Sequence, residues 1–235
     1  MKSRFFTLAA VVLLAGSQEI IAQTSQKRNV SAFTEISLKI DANVHLKQGD
    51  PQSVEVKGEE GTLNRLITDV KDRTLVIKYP SDTWLSKWKP GKVDIYVTMP
   101  QIDDLTVSGS GSIVSSEEKI ESRILSLLVS GSGNLKITDL KAEKVTVTLS
   151  GSGNVHVSGE GSAEEFKATI SGSGNVKASD FPANNVDVTI SGSGNCHVTA
   201  NKNLVAKLVG SGNVIYRGDP LVDTTIVGSG NVKKE

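Results

Sequence analysis

One short turn recurs seven times at nearly even spacing, and this periodicity restricts the chain to a solenoid more firmly than anything else in it. Ser108-Gly109-Ser110-Gly111 comes first, and Gly-Ser-Gly follows at Gly131, Gly151, Gly172, Gly192, Gly210 and Gly228. Counted from the residue before each first glycine, the intervals are 22, 20, 21, 20, 18 and 18 residues. Every turn but the first is followed by asparagine, at Asn134, Asn154, Asn175, Asn195, Asn213 and Asn231. Glycine and asparagine tolerate the backbone angles of a sharp bend, so the chain must turn at each of these points.

Apolar residues alternate on both sides of the turn. Before it, Val129, Leu149, Ile170, Ile190, Leu208 and Ile226 form one column, with a second at Leu127, Val147, Ala168, Val188, Ala206 and Thr224. After it, Leu135, Val155, Val176, Cys196, Val214 and Val232 form another. A period of two on both arms predicts two half-buried strands per repeat. Identical positions recurring every 20 or so residues then stack in register at about 4.8 Å, which is a parallel β-helix. A propeller blade needs about twice this period, and a meander of hairpins would invert alternate repeats. A longer echo is also present: Lys136-Ile137-Thr138-Asp139 resembles Lys177-Ala178-Ser179-Asp180, and His156-Val157-Ser158 resembles His197-Val198-Thr199. The sequence therefore leaves open whether a coil holds one repeat or two.

Residues 30–100 lack the turn but keep strand alternation, as at Ile36, Leu38 and Ile40, at Val44 and Leu46, and at Val93, Ile95 and Val97. Turn residues at Gln48-Gly49-Asp50-Pro51 and Asp72-Arg73 suggest hairpins there. We expect this β-rich region to cap the solenoid or form its first part, because an open β-helix end invites pairing with other chains. At the other end, Lys233-Lys234-Glu235 places charge on a short last strand.

Lys2 and Arg4 precede an apolar run from Phe5 to Ala15, which reads as a secretory signal over residues 1–22 with cleavage before Gln23. The expected organisation is a leader at 1–22, an N-terminal β-strand region at 23–100 and a repeat solenoid at 101–235. No later segment is long enough to span a bilayer as a helix, so no membrane span is expected. With 26 basic and 26 acidic residues and no Lys/Arg block, the chain lacks the electrostatic footprint of a nucleic-acid binder. One cysteine and three histidines speak against disulfides, a metal site or a metal cofactor.

The run Val93-Asp94-Ile95-Tyr96-Val97-Thr98-Met99-Pro100, leading into Leu105-Thr106-Val107-Ser108-Gly109-Ser110-Gly111 and the Gly-Ser-Gly-Asn series, resembles the bacterial head GIN domain family of auto-transporter adhesins. Phe33-Thr34-Glu35-Ile36, Gln48-Gly49-Asp50-Pro51, Val54-Glu55-Val56 and Leu75-Val76-Ile77 share in the resemblance. It implies a right-handed β-helix similar to pectin-lyase-like folds but without lyase chemistry. It also implies an exported protein of a Gram-negative bacterium, in the periplasm, on the outer-membrane surface or outside the cell.

Candidate chemistry is sparse. β-helix enzymes need clustered outward carboxylates, and the column Ser126, Thr146, Lys167, Asp187, Val205, Asp223 has no two adjacent. The column Lys136, His156, Lys177, His197, Ile215, Lys233 reads first as a solvated face, with an anionic sugar as one alternative and a metal shared by His156 and His197, if a coil holds two repeats, as another that lacks a third ligand. The asparagine series is expected to form an amide ladder satisfying groups between coils. Cys196 is expected to be a buried small hydrophobe. Trp84 and Trp88, in Asp82-Thr83-Trp84-Leu85-Ser86-Lys87-Trp88, either stack on sugars or plug the end of the core. The reading is thus a non-catalytic exported adhesin or binding scaffold, with a glycan or another envelope protein as partner and self-association as a further option. One alternative is a carbohydrate-active enzyme, which requires Asp94, Asp103 and Asp104 to converge. The other is a ligand-free structural protein of the periplasm.

Overall fold

Alternation and repeat length together produce two stacks of strands whose apolar sides face each other across one core. The structure, a computed structural model, describes residues 24–81, 88–116 and 118–235; the leader and Trp84 lie outside the described residues. The repeat region begins with β8 (Asp104–Gly109) and β9 (Ser112–Ser115), followed by β10 (Ile120–Gly131), β11 (Asn134–Ile137), β12 (Leu140–Gly151), β13 (Asn154–Val157) and β14 (Ala163–Gly172). It ends with β15 (Asn175–Gly192), β16 (Asn195–Gly210), β17 (Asn213–Arg217), β18 (Leu221–Gly228) and β19 (Asn231–Lys234). All pair in parallel with the equivalent strand one repeat away: Val129 lies beside Leu149, Leu149 beside Ile170, and Leu135 beside Val155. One coil therefore holds one repeat, which answers the question the sequence leaves open.

The residues before each Gly-Ser-Gly turn form a long ladder and those after it a short ladder. The inward columns are those the alternation predicts, and they are buried through Leu208 and Val214. Cys196 sits fully buried among them. The two glycines of each turn serve different needs. Gly151 has φ near +121°, a region L side chains rarely adopt, whereas a Cβ on Gly153 would lie 2.2 Å from the Gly133 carbonyl oxygen in the coil below.

Unequal repeat lengths are absorbed away from the turn. Between β15 and β16 the register slips by three residues between Ala178 and Pro182, and one residue is returned between Ala183 and Asn185. The asparagine and glycine rows on either side stay aligned.

The N-terminal region continues both ladders, but not in chain order. Its strands are β1 (Thr24–Arg28), β2 (Glu35–Leu38), β3 (Asn43–Gln48), β4 (Ser53–Gly58), β5 (Ile67–Lys71), β6 (Thr74–Lys78) and β7 (Val93–Met99), with one helical turn, α1 (Glu60–Leu63). The coil of β2 and β3 packs between β8/β9 on one side and β6/β7 on the other, always in parallel. The end is then closed by antiparallel strands, β5 on the long ladder and β4 followed by β1 on the short one. Leu63 and Leu66 are buried beneath this cap.

The Asp72-Arg73 turn does make a hairpin, joining β5 to β6 with positive φ at both residues. The segment Gln48–Pro51 does not, because β7 lies between β3 and β4 and pairs with both. The inward side chains Val93, Ile95, Val97 and Met99 of β7 complete the core column between those two strands. The other end stays open. Every residue of β18 is exposed, including Ile226 of the inward columns, since among the described residues no coil packs over it on that side. Charge is present there on β19, as expected, while β18 is largely apolar.

Candidate functional site

Parallel stacking turns each outward position of the repeat into a straight row along the solenoid, and the short ladder carries the two most regular rows. The first is the asparagine row. The side-chain Nδ2 of Asn154 donates to Oδ1 of Asn134 at 2.9 Å, Asn175 to Asn154 at 3.1 Å, Asn195 to Asn175 at 3.0 Å and Asn213 to Asn195 at 2.9 Å. This is the expected amide ladder. In register the row runs on through Ser112 and Asn43 to Asp94.

Two residues further along each strand lies the second row. From Lys233 it passes through Ile215, His197, Lys177, His156 and Lys136 to Val114, His45 and Tyr96. All three histidines of the chain therefore stand in one line, and no carboxylate interrupts it between Tyr96 and Lys233. Burial pushes the His156 imidazole below the usual histidine range, Lys136 and Lys177 on its two neighbours push it the same way, and Asp180 opposes them. Asp180 and Glu235, at the margin of this face, are both engaged by Arg217, which lies 3.4 Å from Asp180 and 2.7 Å from Glu235.

At the N-terminal end of the row the face becomes a groove. The His45 and Tyr96 rings stack 4.7 Å apart at 17°, Lys57 lies 4.4 Å from the Tyr96 centroid, and Asp94 is 3.2 Å from His45 Nε2. Tyr96 remains 40% exposed. A hollow of about 340 Å³ opens between His45, Tyr96 and Val114 on one side and Lys47, Thr98 and Ser116 on the other.

His45 and Tyr96 escape notice in the sequence because they lie outside the repeat. Their strands alternate clearly, but nothing in the sequence says that β7 and β3 align with the Lys136 row.

Trp88 is half-buried. Its ring meets Tyr79 edge-on at 5.1 Å, and the Arg65 guanidinium lies 4.9 Å from its centroid. Burial raises the Tyr79 phenol to about 12, with Asp41 adding to the shift. Asp94, Asp103 and Asp104 are divided between the two ladders. Asp94 is paired with Asn43 on the short ladder, Asp104 with Glu35 on the long one, and Asp103 lies 3.9 Å from Arg73. Among the described residues no group of three or more His, Cys, Asp or Glu is placed to hold a metal ion. Burial raises the Cys196 thiol to about 12.

A one-repeat-per-coil parallel β-solenoid, capped at its N-terminal end and faced with ordered polar rows, defines the class as a β-solenoid scaffold. The chain belongs to the family described as "Putative auto-transporter adhesin, head GIN domain", whose model matches residues 32–220. Among solved structures it is similar to a "putative adhesin" of Bacteroides fragilis, with 21% identity, a TM-score of 0.80 and coverage of 91% of this chain and 97% of that one. Two Parabacteroides distasonis structures each share 26% identity at a TM-score of 0.71 over 91% of this chain. One, a "putative adhesin", is covered over 97% of its length, and the other, a "putative lipid binding protein", over 96%. No curated protein matches the chain. No helix among the described residues is long and apolar enough to cross a membrane.

Proposed function

We propose that the protein is a non-catalytic binding scaffold of the bacterial cell envelope, exported by its N-terminal leader and exposed to bind glycans. The observation that carries this reading is the outward face of the short ladder, where amide, imidazole and ammonium groups repeat in straight rows on a backbone that cannot easily deform. Such a surface presents many equivalent hydrogen-bonding groups at fixed intervals, which suits a repetitive ligand. The family's description as an adhesin supports a surface role.

The separation of Asp94 from Asp103 and Asp104 counts against the enzyme reading, since glycoside hydrolysis needs two carboxylates facing one bond. Lys136 and Lys177, exposed beside His156 and without an ion-pair partner among the described residues, count against a purely structural part, which would not need them. Trp84 and Trp88 are proposed as accessory sugar contacts, because indole rings offer a broad apolar face.

The test is a glycan array probed with the purified protein, with Trp84→Ala/Trp88→Ala in parallel, alongside protease treatment of intact cells. Saturable glycan binding and cleavage of the protein on intact cells are expected. Binding unchanged in the double variant removes the tryptophans from the site, and absence of binding to any glycan overturns the reading.

A further inference from the structure

We propose that the outward face of the short ladder is a site for a linear acidic polysaccharide laid along the solenoid axis, with its acidic groups on Lys136 and Lys177 and its hydroxyls on the asparagine row. The inference rests on the glycan-binding reading above and names its ligand class and its site.

The first observation is charge. The chain is neutral overall, yet the row from His45 to Lys233 carries lysines and histidines and no acid. Lys136 and Lys177 have no ion-pair partner among the described residues, whereas the nearby acids Asp180 and Glu235 are both held by Arg217. Two unneutralised ammonium groups flanking His156 attract an anionic ligand and steer its approach.

Spacing is the second. Lys136 and Lys177 are two strands apart with His156 between them, and Lys177 and His197 are adjacent. At about 4.8 Å per strand the two lysines stand roughly 10 Å apart. This is close to the rise of an extended disaccharide, so two acidic groups on alternate sugars can reach Lys136 and Lys177 together.

The third is the neighbouring row. Asn154, Asn175, Asn195 and Asn213 each spend one amide hydrogen on the next coil, which fixes their orientation and leaves a second amide hydrogen in hand for a ligand. These groups are already ordered, so bonding sugar hydroxyls costs little further entropy.

The last is the groove at the end of the row. The stacked His45–Tyr96 pair and Val114 line a hollow large enough for a sugar ring, with Lys47 and Thr98 opposite. It lies in line with the lysines, so one ligand can reach both. The overall neutrality of the chain argues against nucleic acid as the polyanion.

The experiment is calorimetric titration of the purified protein with polygalacturonate, its methyl-esterified form, hyaluronan and chondroitin sulfate. Two double variants are compared, Lys136→Gln/Lys177→Gln on the proposed face and Lys167→Gln/Lys207→Gln on the long ladder, with circular dichroism to confirm their folds. We expect at least one acidic polymer to bind, the neutral ester to bind about tenfold more weakly or not at all, and the first variant to lose about tenfold in affinity while the second stays near the parent. Equal loss in both variants, unchanged binding in the first, or no binding to any of the acidic polymers overturns the proposal. Binding to neutral glycans alone would overturn it while leaving the broader glycan reading intact. Binding to acidic polymers by a protein that protease does not reach on intact cells would leave the proposal standing and overturn the surface exposure in the reading above.

Discussion

Asn154 donates its side-chain amide to Asn134 across 2.9 Å and accepts the amide of Asn175 at 3.1 Å, so its side chain is clamped between two coils. Replacing Asn154 by alanine removes both bonds at an exposed position. We expect a loss of about 1 kcal/mol, at the modest end for such bonds because water can replace them, measured by urea denaturation. An unchanged midpoint would show the ladder to be a consequence of stacking and not a contributor to it.

The turn glycines predict a sharper effect. A Cβ on Gly153 would meet the Gly133 carbonyl oxygen at 2.2 Å and Val129 Cγ1 at 2.8 Å, and neither can retreat without shifting a coil. Gly153→Ala is expected to destabilise by about 3 kcal/mol in the same denaturation measurement. Gly61, in α1, has open space for 4 Å around the point where a Cβ would stand and is the matched control, for which alanine should be neutral or stabilise by about 0.5 kcal/mol.

His156 should titrate below the usual histidine range, since burial and the flanking Lys136 and Lys177 all disfavour its charged form. The unfolded chain then binds the proton more readily than the folded one. Stability from this group is fully present above the unfolded value of about 6.5 and is lost as pH falls toward the folded one. NMR titration of the imidazole checks the first statement, and Lys177→Gln should move the value upward.

Cys196 should resist alkylation at pH 8 in the native protein and react at once in denaturant, because burial raises its thiol to about 12 and seals it from reagent. Rapid native labelling would mean that the coil around it opens.

Hydrogen exchange should be fastest along β18 and β19. Leu221 is 79% exposed and Val227 61%, so this last coil has little burial to hold it, and the family match itself stops at residue 220. The amides of β12 and β14, covered by coils on both sides, should be the most protected.

The repeat makes the core legible from the sequence. Val129, Leu149, Ile170 and Ile190 align by their shared turn, and Asn134 to Asn213 align by the same count. Outside the repeat that alignment has no anchor. Leu38 and Ile77 alternate equally well, but nothing local reveals that β2 lies between β6 and β8, or that β7 inserts between β3 and β4 and replaces the hairpin expected at Gln48–Pro51. For the same reason the sequence shows Lys136 and His156 as neighbours but hides His45 and Tyr96, the other end of their row.

The slip between Ala178 and Pro182, partly returned before Asn185, leaves the asparagine and glycine rows undisturbed. Length is thus negotiable at this corner of the coil and nowhere along the rows. Loops grafted here, or residues gained and lost by descent, would hang beside the ladder without changing its ruling. The molecule separates a margin that can vary freely from a scale that must keep its marks.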